Sequence, residues 1–309
     1  MMANRQRTGD LAALPPIRIN NFRERMIVAL LFSAGVFSIV ITFGIVYILV
    51  SESLPFFGEV SIVDFLTDTM WTPLFARPRY GILPLVCGTL VTSFIALALA
   101  VPVGTVIAVW LSEYAPDAWR ETIKPILELL SAVPTVVYGY FALLFVTPLL
   151  QVVLPALPAF NMIGPGIVMG IMIIPYVGSL SEDAMRAVPM ILREGSYALG
   201  ASRLGTSLRV VYPAALSGIA AAYILAISRA VGETMIVAIA AGQQPELTLN
   251  PMDPAATITA YIVQVSLGDL PHGSIGYQSI FAAGLTLFVV TLAFNILGAI
   301  LRGQFRQAY

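Results

Sequence analysis

The sequence predicts an all-helical integral membrane bundle of about six spans, and three observations carry that prediction. Hydrophobic residues make up 58% of the chain and charged residues 11%, against roughly 25% charge in ordinary soluble domains. Long uncharged runs alternate with short charged connectors, and the mean hydropathy is +0.89. The cations are also unevenly placed. Arg5, Arg7, Arg18, Arg23, Arg25, Arg120, Lys124, Arg186, Arg193, Arg203, Arg209, Arg302 and Arg306 all fall on one side of the alternating map, Arg77 and Arg79 on the other, and Arg229 inside a span. The positive-inside bias then places both chain ends in the cytoplasm.

A basic arm, residues 1–25, precedes the membrane part, residues 26–309. The first uncharged run, residues 26–51, exceeds the roughly 20 residues needed to cross a bilayer and is too long for a signal-peptide core, so it is expected to stay as an anchor. Residues 52–80 carry Asp64, Asp68, Trp71, Arg77 and Arg79 and are too polar to span; they read as an external interfacial segment. Residues 81–112 supply the second span and residues 113–124 an internal loop. The run 129–181 is long enough for two spans, with Pro155, Pro158, Asn161, Gly164, Pro165 and Gly166 marking an external hairpin between them. Glu128, at the start of that run, reads as a helix-end anchor. A fifth span is expected over 214–241, an external loop without Arg or Lys over 243–278, and a sixth span over 279–301. Pro102, Pro134, Gly139, Pro175 and Gly178 lie inside spans, where helices pack closely or break around a passage.

Enzyme readings find little support. The single lysine, Lys124, follows no glycine-rich loop, so no P-loop is present to hold nucleotide phosphates. One histidine, His272, excludes a His-Glu-x-x-His zinc site, and one cysteine, Cys87, excludes an internal disulfide. His272 lies in a turn-rich loop and no predicted span contains an aspartate, which argues against intramembrane proteases. No catalytic or metal-binding residues are therefore assigned.

The chemistry that remains is Arg229 and Glu233, four apart in the fifth span and expected on one helix face. Charges at membrane depth cost roughly 2.5–3.5 kcal/mol on insertion scales, so they face the bundle interior or water and are functional candidates. A guanidinium matches phosphate-like oxygens in geometry. Glu233 would repel a fully deprotonated oxyanion yet accept the O–H of a protonated one. A structural ion pair pinning two helices is the alternative.

The stretch from Met190 to Pro213 is polar, basic and rich in small residues, so it belongs in water or against another protein. Met190, Glu194, Tyr197 and Ala201 recur at helical spacing, and Gly200 supplies the positive φ that ends or bends the helix. A second helical run is expected over residues 206–211. Glu194, Gly200, Val210 and Pro213 together resemble the cytoplasmic signature of ABC-importer permeases; Gly195, Ser196 and Tyr212 depart from its usual residues. Further stretches join it: Trp71 with Gly81-Ile-Leu-Pro84 and Gly88-Thr-Leu90, Ser131-Ala-Val-Pro134 with Val137-Tyr-Gly139, Arg229-Ala-Val-Gly-Glu-Thr234, and Ala260-Tyr-Ile-Val-Gln264 with Pro271-His-Gly-Ser274. Together they resemble the C-type permease subunit of the bacterial phosphate-uptake ABC importer.

The resemblance implies the importer permease fold in a bacterial cytoplasmic membrane. It further implies a second related permease, two cytoplasmic ATPase subunits that bind ATP and Mg²⁺, and an external phosphate-binding protein meeting residues 52–80 and 243–278. This chain itself would hold no cofactor and bind no nucleic acid. Arg229, Glu233 and Thr234 would line the anion path, and Glu194, Tyr197, Ala198, Gly200 and Ala201 would couple to an ATPase. The alternatives are a permease for another oxyanion, such as sulfate or molybdate, and an ATP-independent secondary carrier.

Overall fold

The computed structural model describes residues 21–304, apart from 74, 76, 269 and 272. Most of the basic arm, His272 and Arg306 therefore lie outside the described residues, and the predicted side of the two termini with them. The chain divides into two compact units, Met1–Ile48 and Leu49–Tyr309. The described part of the first unit is the leading stretch of one apolar helix, α1 (Asn21–Glu59), which continues through Pro55 into the second unit.

In the second unit a short helix α2 (Ile62–Thr67) is capped by the Ser61 hydroxyl, which accepts from Val63 N at 3.2 Å. There follow α3 (Leu83–Glu113), α4 (Asp117–Ala132), α5 (Thr135–Val153, with a π-helical turn at Ala142–Val146) and α6 (Ile163–Arg186). Next come α7 (Met190–Ala198), α8 (Arg203–Ala214), α9 (Leu216–Val231), α10 (Met235–Ala240), α11 (Ile258–Ser266) and α12 (Ile275–Gln304). Besides helix, the described residues contain two isolated bridges, Trp71 with Tyr80 and Gly242 with Ala255. Among the described residues five helices are long and apolar enough to span, and the pair α8–α9, bent by 74°, brings the count to the predicted six when that pair is taken as one span.

The largest helix–helix contact is α3 on α6, and composition explains it. Gly88, Thr92, Ala96, Ala100, Gly104 and Ala108 recur every fourth residue and form a buried small-residue stripe along α3. A Cβ added at Gly104 would lie 2.7 Å from Val177 on α6, too close to accommodate. Around this seam, Met169, Met172, Ile173, Ala226, Ala230, Ile236 and Val237 complete the central core.

Several sequence expectations change in the folded chain. Trp71 is 1% exposed rather than interfacial, because the α1–α3 connection folds inward: its ring meets Tyr261 edge-on at 4.9 Å and joins Phe65 and Tyr80. The third span does not begin at residue 129; Leu129 belongs to the amphipathic α4, and the break at Val133–Pro134 precedes α5. Part of the expected loop 113–124 is thereby helical, and Glu128 stands exposed on α4. The expected loop 243–278 is not all solvated. Its centre is α11, whose Ile258 N donates to the Thr89 hydroxyl at 3.1 Å, while Pro251 O accepts from Met162 N at 3.1 Å.

Candidate functional site

The expected continuous span over 214–241 is broken where its charges are. α9 stops at Val231, Gly232 and Glu233 form a short turn, and α10 restarts at Met235. Glu233 is 4% exposed. Its Oε1 accepts from Met235 N at 3.1 Å, which caps the start of α10, and its Oε2 lies 3.8 Å from Arg229 Nη2. The predicted pairing is thus present, but Glu233 sits in the break and not on a shared helix face, because Gly232 ends the helix between the two. Thr234 is half-buried and its hydroxyl reaches back to Gly232 O at 3.3 Å.

A broken helix leaves backbone groups without intrahelical partners, and membrane depth makes that costly. Here α11 supplies one partner: the Thr259 hydroxyl donates to Glu233 O at 2.6 Å, and Thr257 lies 3.1 Å from Thr259 Oγ1. Sequence reasoning missed both threonines; their signal was a hydroxyl pair, Thr257 and Thr259, in a segment without charge. The Arg229 side chain is 41% exposed, and among the described residues its polar contact is the long one to Glu233. The arrangement leaves most guanidinium donors available to an oxyanion.

The second predicted set forms a jointed elbow. α7 carries Met190, Glu194 and Tyr197 on its exposed side and ends at Ala198. Gly200 takes φ +82°, with its N–H to Tyr197 O at 2.9 Å and Ala201 N–H to Ser196 O at 3.2 Å, a Schellman turn. Ala201 therefore follows the turn and is not part of the helix face. Ser202 then caps α8, accepting from Gly205 N at 3.1 Å, so the second helix is longer than residues 206–211. The hydroxyls of Ser196 and Thr206, 2.8 Å apart, bind the two arms together.

Two buried ion clusters lie near the elbow, the first holding α7 to α3 and the second holding α4 to α6, and sequence reasoning missed both because their partners are far apart in the chain. Arg193 on α7 reaches Glu113 at the end of α3 at 2.9 Å and donates to Met185 O at 2.9 Å and Val188 O at 2.7 Å. Glu182 on α6, fully buried, accepts from Arg120 Nε at 2.7 Å and Lys124 Nζ at 2.8 Å on α4; Lys124 also pairs with Asp183. The hydrogen bond to Glu182 raises the Arg120 pKa. Burial alone would lower that of Lys124, but its bonds to Asp183 and Glu182 outweigh burial and raise it. Beyond the elbow, the Tyr223 hydroxyl on α9 lies 2.6 Å from Thr105 Oγ1 on α3 and 3.2 Å from the Tyr212 hydroxyl on α8, bridging the 74° bend.

Comparison with known proteins agrees with this architecture. Residues 100–307 match the family described as binding-protein-dependent transport system inner membrane component. The probable ABC transporter permease protein YqgH of Bacillus subtilis is 34% identical over 91% of this chain and 90% of its own length. The phosphate transport system permease protein PstC of Mesorhizobium japonicum is 33% identical over 74% of each chain, and that of Haemophilus influenzae 31% over 83% of this chain and 84% of its own. Among solved structures, a bacterial ABC transporter involved in alginate import aligns over 93% of this chain and 98% of its own with TM-score 0.65 and 15% identity, which speaks to the fold alone. The MetNI methionine ABC transporter aligns over 74% of this chain and 95% of its own with TM-score 0.53 and 16% identity, again for the fold alone. By the family match and these relatives, the chain belongs to the binding-protein-dependent inner-membrane components, the multi-pass permeases of bacterial ABC importers.

Proposed function

We propose that this permease carries inorganic phosphate, powered by ATP that two separate cytoplasmic ATPase subunits bind with Mg²⁺ and hydrolyse. The observation behind the reading is Arg229: an arginine on a candidate span, 41% exposed, whose nearest carboxylate stays 3.8 Å away and is itself occupied in capping α10. Such a group neutralises a passing anion without being consumed by the fold. The PstC names of the M. japonicum and H. influenzae relatives support phosphate as that anion.

In this reading a second, related permease completes the path, and an external phosphate-binding protein delivers substrate. The family's description as binding-protein-dependent supports such a delivery partner. Glu194, Tyr197, Ala198, Gly200 and Ala201 dock on an ATPase. Movement of α7 passes through the Gly200 joint to α8 and, by way of Tyr212 and Tyr223, to α9, which carries Arg229. Glu233 accepts the O–H of a protonated phosphate, a contact that sulfate at neutral pH does not offer.

Uptake of labelled phosphate into vesicles holding the full transporter tests the reading; it requires both ATP and the binding protein. Uptake without ATP hydrolysis would reject the pump and favour a secondary carrier. Within the same assay, Glu233→Gln lowers phosphate flux and weakens discrimination against sulfate. Unchanged flux and selectivity would remove Glu233 from the path.

A further inference from the structure

One side of the elbow joint carries an open apolar groove that the transport reading does not use. It has a volume of about 400 Å³, its surface is wholly apolar, and it runs between α3 (Thr105, Val106, Val109, Trp110) and α8 (Leu204, Leu208), closing at Tyr114. Thr105 contributes no polar surface because its hydroxyl is occupied by Val101 O and Tyr223. Val106 is 68% exposed, Leu204 55% and Leu208 50%, so the groove is open to its surroundings. From Thr105 to Tyr114, α3 rises about 14 Å at 1.5 Å per residue, a length suited to an extended hydrocarbon chain.

The two ends of the groove differ. Thr105 lies within the apolar length of α3, while Tyr114 follows the last residue of that span. There the Arg203 guanidinium lies 5.4 Å from the centre of the Tyr114 ring, and Arg203 is exposed. Trp110 and Tyr114, one turn apart, place amphipathic rings at the level where a span meets the headgroup region. Arg203 stands beside the Tyr114 end of the trough and also lines a neighbouring polar cleft with Glu113, Asp117, Arg186 and Arg193. An apolar trough beside a cluster with more cations than carboxylates suits an amphiphile with an anionic head.

We propose that the α3–α8 groove binds one acyl chain of an anionic phospholipid, with its phosphate at Arg203. The bound chain packs α8 against α3 beside the Thr105–Tyr223–Tyr212 hydroxyl bridge, so the lipid stiffens the joint between the elbow and α9. The inference rests on the membrane fold and not on which anion is carried.

The test uses the full transporter with its partner subunits, in phosphatidylcholine vesicles containing a photoreactive phosphatidylglycerol with a diazirine in its acyl chain. Adducts are expected to concentrate on peptides bearing Val106, Trp110, Leu204 and Leu208, and to fall about tenfold when photoreactive phosphatidylcholine replaces phosphatidylglycerol. Arg203→Gln lowers the labelling by a similar factor, and Leu208→Trp, which fills the groove, removes it. Labelling of the outward residues Val289 and Leu292 on α12 stays constant in both variants and reports that each has folded. Val106→Trp is the substitute if either variant does not. Equal labelling by the two lipids, indifference to filling the groove, or cross-linking of these peptides to a protein subunit would each overturn the proposal.

Discussion

Arg193 is buried, 2.9 Å from Glu113, and divides its remaining donors between two backbone carbonyls. Arg229 has a side chain 41% exposed and approaches Glu233 only to 3.8 Å. Both are arginines beside glutamates, yet the first pair is closed and the second open. In the closed pair all three guanidinium nitrogens donate into the fold, so its energy goes into holding α7 against the ends of α3 and α6. In the open pair the carboxylate is held by the start of α10 and by a helix break, which leaves the guanidinium for a ligand. The contrast teaches that the partners of an ionic group, more than its presence in a membrane helix, separate a structural charge from a functional one.

The largest effect that sharpens this contrast is expected from Glu113→Ala. It leaves Arg193 buried without its counter-charge and costs about 3–5 kcal/mol of stability, seen as a lower melting temperature of the detergent-solubilised transporter. Arg229→Gln behaves differently. Glu233 keeps its backbone donor at the start of α10, so melting falls less than in Glu113→Ala, while phosphate uptake falls roughly ten- to a hundredfold, the loss of one hydrogen bond to a charged group worth about 1.5–3 kcal/mol. Were Arg229→Gln to melt as early as Glu113→Ala, the distinction between the two pairs would be lost.

Thr259→Val probes the break itself. It removes the 2.6 Å bond to Glu233 O and costs about 1 kcal/mol, read as a several-fold fall in uptake with only a small shift in melting. A cost of the same order is expected from Gly200→Ala, whose shift in melting is the smallest of the four. No atom lies within 4 Å of the added Cβ, so the cost is the left-handed backbone alone, about 1–2 kcal/mol. Because the elbow is exposed, this strain is expected to lower uptake per ATP hydrolysed more than it lowers the melting point.

Much of the membrane architecture was legible beforehand because hydropathy and charge placement are one-dimensional signals that a bilayer imposes directly. The Gly200 bend was equally readable, since a glycine just past a helical pattern is a local rule. Trp71 was misplaced for the opposite reason. Its surroundings come from Phe65, Tyr80 and Tyr261, and the last of these is far away in the chain.

By itself the sequence determined that this is a helical membrane protein of about six spans, that Arg229 and Glu233 lie within reach of each other, and that a jointed polar segment interrupts the spans. Only the tertiary structure decided that the fifth span breaks at Gly232, that Thr259 completes the break, and that Arg193 is an anchor. Glu113 and Arg193 are 80 residues apart, and Glu233 and Thr259 are 26 apart. Local pattern cannot register such pairs, because their energies arise only once packing brings the partners together and removes water from between them.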